Sequence, residues 1–157
     1  MLQAAKHVGP TKRVNPQLII PKGWIPAPSY IDYIPYLTDQ TIRAVQDKYE
    51  YDNIVYGIEC VTTNRIYVGC TVDPVKRLYQ HLVSGIHSCN PLQKDITKYG
   101  LGDFSLYVFE TVAMPPRLTD KERVEFMRVR ESLYLKQYRY NQLYNVSRAY
   151  LYKSYVH

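Results

Sequence analysis

The chain has 157 residues, 46% hydrophobic and 13% aromatic, enough for one packed domain and too apolar for wholesale disorder. No apolar run approaches the ~20 residues of a membrane helix, and none forms a signal-peptide core, which excludes a transmembrane helix and argues against secretion. Three cysteines without CxxC spacing, Cys60, Cys70 and Cys89, exclude a disulfide scaffold and read as free thiols of a reducing, intracellular compartment. His87 beside Cys89 is only two of the four ligands a zinc site needs, so zinc is not expected.

The net charge of +6 is unevenly placed. Residues 1–31 carry Lys6, Lys12, Arg13 and Lys22 and no acid, and residues 132–157 carry Lys136, Arg139, Arg148 and Lys153 and no acid. The middle holds 12 basic residues and all 14 acids, a sum of −2. Basic ends on a nearly neutral body suit a polyanion partner, although charge kept for solubility explains them as simply. Seven of the 17 tyrosines fall after residue 131, and rings interleaved with cations suit unpaired bases. Tyr134 and Tyr138, spaced i, i+4, read instead as helix core, and Tyr150, Tyr152 and Tyr155 also fit a short terminal strand.

In chain order, residues 1–36 contain six of the ten prolines and are expected to form an extended arm without regular structure. A helix is expected over Thr38–Glu50, with Ile42 and Val45 on its apolar face. Ile54–Thr62 and Arg65–Thr71 form a hairpin across a Thr63-Asn64 turn. Asp73-Pro74 starts a helix reaching about Val83, and Asn90-Pro91 repeats the device for a helix of about nine residues stopped by Gly100. Phe104–Val112 is the third strand. Thr119-x-x-Glu122 is a capping box for a long helix to about Tyr138. The fold expected is α/β: a small three-stranded antiparallel sheet flanked by helices, preceded by the arm. Its divisions are residues 1–36 (arm), 37–52 (linker helix), 53–147 (domain) and 148–157 (basic, tyrosine-rich tail).

The candidate chemistry lies on the hairpin and the helices. Tyr56 sits in Ile54-Val55-Tyr56 and Tyr67 in Tyr67-Val68-Gly69 on the partner strand. Arg77 and His81 share a helix face at i, i+4, with Lys76 beside them as a further cation. Glu131 lies on the long helix within Arg130-Glu131-Ser132-Leu133-Tyr134, and Asn145 follows. Singly, each has a plain alternative: strand tyrosines, a solvated helix face, a surface glutamate paired with Arg128 or Lys136, an asparagine capping a turn.

Taken together, with Lys98-Tyr99-Gly100-Leu101-Gly102-Asp103-Phe104 entering the third strand, the order and spacing resemble the GIY-YIG nuclease family over about residues 53–147. Ile54 departs from the glycine common in relatives but keeps the strand pattern and leaves Tyr56 in place. The resemblance implies hydrolysis of a DNA phosphodiester bond with one divalent metal, usually Mg²⁺, held by Glu131. It further implies Arg77 on the scissile phosphate, and Tyr56 or Tyr67 on the attacking water. His81 would assist proton transfer or hold phosphate, and Asn145 would orient the glutamate or pack the site. An unperturbed tyrosine is a poor base at neutral pH, so an adjacent cation is required.

Relatives of the homing type carry a DNA-reading region after the core. About ten residues follow it here. Nucleic-acid contacts are therefore expected from Lys76, Arg139, Arg148 and Lys153 and from the arm. The alternative is a nuclease fold kept as an RNA-binding component of a large RNA–protein assembly, such as an organellar ribosome, that orders the arm. A mitochondrial compartment or a phage- or virus-host cytoplasm would fit either reading.

Overall fold

The computed structural model describes residues 28–145. Most of the expected arm, together with Arg148, Lys153 and Tyr150, Tyr152 and Tyr155, lies outside the described residues.

Among the described residues four strands, not three, form one antiparallel sheet. They are β1 (Asp32–Ile34), β2 (Ile54–Cys60), β3 (Ile66–Thr71) and β4 (Phe104–Thr111), in the order β1-β4-β2-β3. The additional strand is β1, within the stretch expected to lack regular structure. Pro28 and Pro35 lie just outside it, and an edge strand needs hydrogen bonds on one side only, so neighbouring prolines are tolerated. β1 pairs with β4 through Asp32–Val108 to Ile34–Leu106, and Ile31 N–H extends the ladder to the Val108 carbonyl at 2.9 Å.

β2 is central, and all seven of its residues are buried because both sheet faces are covered. On one face Ile54, Tyr56, Ile58, Leu106 and Val108 pack against Leu78, Leu82 and Leu92. On the other, Val55, Val68, Tyr107 and Phe109 pack against Met127 and Leu135. Each fully buried leucine or isoleucine contributes about 1.5–3 kcal/mol of apolar transfer. Gly57 is small because a Cβ there would stand 2.8 Å from Ile66 Cδ1 and 2.9 Å from the Phe109 ring.

Helix α1 (Asp39–Lys48) closes one end through a capping box between Thr38 and Thr41. α2 (Pro74–Tyr79) begins as expected, with the Asp73 side chain accepting from Lys76 N–H at 3.1 Å. The expected run to Val83 is not α-helical throughout: it widens into a π-type turn over Gln80–Ser84 and ends at Gly85, φ 73°. α3 (Asn90–Tyr99) has Cys89 at its N-cap position with no side-chain cap, so Asn90 is its first helical residue and not its cap. α4 (Asp120–Leu135) has the expected Thr119–Glu122 capping box but stops three residues before Tyr138.

β3 is the far edge of the sheet, and the chain after α4 covers that edge. Leu143 bridges Ile66 in parallel, and Tyr144 N–H donates to the Ile66 carbonyl at 2.8 Å. Arg65 reinforces this strap, donating to the Leu143 carbonyl at 3.2 Å and lying 4.4 Å from the Tyr144 ring centroid.

Candidate active site

Strand register brings the two tyrosines together. Tyr56 faces Gly69 across the hairpin and Ile58 faces Tyr67, so the tyrosines are diagonal neighbours on one sheet face, with ring centroids 6.3 Å apart. Gly69 answers to the Tyr56 ring: a Cβ at position 69 would lie 2.7 Å from the Tyr56 hydroxyl and 2.8 Å from its Cζ. The β2–β4 register shifts between Val55 and Tyr56, an irregularity beside the site that re-aims the strand at this tyrosine.

Helix α2 and the π-type turn that continues it cross this face, and they present both expected side chains to it at different depths, Arg77 from the helix and His81 from the turn. His81 is 1% exposed, and its Nε2 lies 2.8 Å from the Tyr56 hydroxyl. Its Nδ1 lies 2.6 Å from Ser88 Oγ, which also accepts from Gln93 Nε2 at 2.8 Å. Burial, then the Arg77 charge, lowers the His81 pKa to about 3, so the ring is neutral at ordinary pH. This buried ring is bonded to Tyr56 and Ser88 and lies outside the cleft lining. Arg77, one turn earlier, is half-buried and anchored by donation from Nη1 to Gln80 Oε1 at 2.8 Å and to the His87 carbonyl at 2.7 Å.

Glu131 arrives from the opposite sheet face. Its neighbour Arg130 donates from Nε and Nη2 to the two oxygens of Glu110 on β4, both at 2.8 Å, and the Tyr134 hydroxyl donates to Glu110 Oε1 at 2.5 Å. This bidentate anchor sets the rotation of α4. Glu131, one position on, then reaches the β3 edge, where it is 7% exposed.

Asn145 completes the edge. Its Oδ1 accepts from Val68 N–H at 3.0 Å, and its Nδ2 donates to the Val68 carbonyl at 2.8 Å. The side-chain amide thus takes the place of a neighbouring strand. Both bonds run to β3, so its work is to fix the strand carrying Tyr67 and Gly69.

Tyr67, Arg77, Glu131 and Asn145 line one cleft of about 320 Å³, with Ser88, Cys89 and Asn90 on its rim. Tyr56 and His81 lie beneath it and are not wall residues. Burial raises the Tyr67 pKa, and the Arg77 guanidinium opposes the shift. Burial pushes Tyr56 well above its ordinary value, against the same Arg77 charge.

The comparison with family models agrees with this geometry: residues 52–145, more than half of the chain, match the GIY-YIG catalytic domain. The chain belongs to the GIY-YIG family. No curated protein and no solved structure matches it. Membership supports a nuclease function and a nucleic-acid substrate.

Among the described residues, no three or more His, Cys, Asp and Glu side chains form a metal-binding group. One nearly buried carboxylate opening into a cleft fits a hard ion that keeps most of its waters, such as Mg²⁺, and does not fit zinc. Lys76 is exposed on α2, and Arg139 is exposed on the turn after α4, outside the cleft lining. Cys60, Cys70 and Cys89 are free thiols. Also among the described residues, no helix is long and apolar enough to cross a membrane.

Sequence reading missed Ser88, Cys89, Asn90 and Gln93, because the loop bearing the first two has no periodicity. It also missed the partner of Arg130. Glu110 sits on β4, and only the fold brings the two together.

Proposed function

We propose that this GIY-YIG domain is a metal-dependent endonuclease that hydrolyses a DNA phosphodiester bond in the cleft at the β3 edge. The observation that carries the reading is the convergence there of Tyr67, Arg77 and Glu131 from three elements on two sheet faces. A basic side chain opposite a carboxylate, in a partly desolvated cleft, suits charge developing on a phosphate.

Glu131 is the residue that would hold the metal. Bound there, Mg²⁺ would lower the pKa of a coordinated water and neutralise a phosphate oxygen. Arg77 keeps its charge throughout and, held on Gln80 and His87, is preorganised to donate to the scissile phosphate. Tyr67 is the tyrosine on the cleft wall, so it is the one placed to hydrogen-bond the attacking water. Its raised pKa keeps the hydroxyl protonated at neutral pH, which makes it an orienting group and not a phenolate base. Tyr56, buried on His81, packs behind Tyr67 and holds it in position.

DNA as the substrate rests on the family resemblance. The assembly-component alternative rests on segments outside the described residues, and no observation in the fold favours it. The test is incubation of supercoiled plasmid, and separately of a labelled RNA, with the purified chain in Mg²⁺ and in chelator. Metal-dependent nicking of the plasmid is expected. RNA binding with no cleavage of either substrate would contradict the proposal.

A further inference from the structure

A second cavity, of about 650 Å³, opens where the end of β3 meets the start of α4, lined by Asn53, Val72, Arg117, Asp120, Arg123 and Val124 among others. Val124 and Glu131 are seven residues apart on α4, two turns and about 10 Å along the helix axis, so both fall on one helix face. Arg128 lies between them on that face. Helix α4 packs along β3, and Val72, just past the end of β3, lines this cavity, while Tyr67 at the other end of the strand lines the cleft. The two cavities are therefore successive openings along one β3–α4 seam.

Arg117 is the telling residue. It follows Pro115-Pro116 with φ 66°, a left-handed backbone that ordinarily takes glycine or asparagine. A long cation at a position that glycine would fill with less strain points to use of the side chain. Arg117 is exposed, and it makes no ion pair among the described residues. Arg123 lies 4.0 Å from Asp120, at the outer limit of an ion pair, and both are exposed, so that contact holds it weakly.

We infer that this cavity binds the phosphate backbone of the nucleic acid whose scissile bond occupies the cleft, with Arg117 and Arg123 as its donors and Arg128 on the path between. The inference rests on the nuclease reading of the cleft. The contact would serve position and affinity, not sequence, because phosphates carry no base identity.

The test is binding of a short labelled DNA duplex to the full chain in chelator, over a range of salt, with nicking in Mg²⁺ measured separately. Arg117→Gly suits the left-handed backbone, so its thermal midpoint is expected at or above that of the wild type. Arg117→Gly and Arg123→Ala are each expected to weaken binding about tenfold, equally for unrelated sequences, and to reduce the salt slope by about 1. Unchanged affinity and slope in both variants would overturn the inference. A wild type that binds but does not nick would contradict the nuclease reading alone. Loss of binding in the two variants would still establish the cavity as a nucleic-acid contact.

Discussion

Asn145 and Val68 are joined by two hydrogen bonds, 3.0 and 2.8 Å long, through which one side-chain amide satisfies both polar groups of an edge-strand residue. Val68 lies between Tyr67 and Gly69, so this contact fixes the strand segment on which the cleft is built. Asn145→Ala removes both bonds and is expected to cost about 2 kcal/mol of stability. Asn145→Asp keeps an acceptor for the N–H and turns the donor into an oxygen facing the Val68 carbonyl. It is expected to be at least as damaging. Chemical denaturation of both variants measures this. An undiminished stability in Asn145→Asp would show that the amide donor is dispensable.

Gly69 and Tyr56 make a second coupled pair. Gly69→Ala would place a methyl 2.7 Å from the Tyr56 hydroxyl, so the ring must shift and its 2.8 Å bond to His81 is disturbed. Activity is expected to fall in this variant even where the fold survives. Tyr56→Phe leaves the ring in place but strips His81 Nε2 of its 2.8 Å partner, a loss of about 1–3 kcal/mol. Comparing single-turnover rates with melting midpoints separates the two effects.

The buried histidine gives a pH dependence with a definite sign. His81 titrates near 6.5 in the unfolded chain and near 3 in the fold. Between those values the unfolded chain binds the extra proton, so stability rises with pH across the window. The His81 contribution is complete above about pH 6.5 and is lost as the pH falls toward 3. In His81→Gln this part of the dependence should vanish, which stability measured from pH 7 to 4 would reveal.

Much of this was legible in the sequence, for reasons visible residue by residue. Tyr56, Tyr67, Arg77 and Glu131 were readable because their spacing survives as a motif. The capping signals at Asp73-Pro74 and Thr119–Glu122 act within a few residues of themselves. Depth was not legible: the i, i+4 spacing put Arg77 and His81 on one face, but not one half-buried on the cleft wall and the other in the core. β1 was hidden because its flanking prolines suggest irregular chain, and only its place at the sheet edge makes them harmless. The bonds of Asn145 to Val68 span 77 residues, and no local pattern encodes a side chain standing in for a strand.

Arg130 and Glu110 test how the glutamate is aimed. Their side chains are 38% and 18% exposed, and the pair lowers the Glu110 pKa. Arg130→Ala is expected to cost about 1–3 kcal/mol, tempered by that exposure, and to loosen the rotation of α4. A larger metal requirement for half-maximal nicking is expected in this variant, because Glu131 is no longer held in place. Arg130→Lys keeps the charge but not the bidentate fork, so it should restore only part of the loss. Full restoration by lysine would mean that charge alone sets the helix.

Glu131 and Arg77 reach one cleft from opposite faces of the sheet, and in the proposed reaction both act on the same phosphate. The most direct test is single-turnover nicking of supercoiled plasmid in Mg²⁺ by the wild type, Glu131→Gln and Arg77→Ala, with folding verified by thermal melting. Metal-dependent nicking by the wild type is expected, with a fall of about two to three orders of magnitude in each folded variant. Nicking that persists in folded Glu131→Gln, or that is insensitive to chelator, would rule out a metal held by Glu131 as part of the reaction.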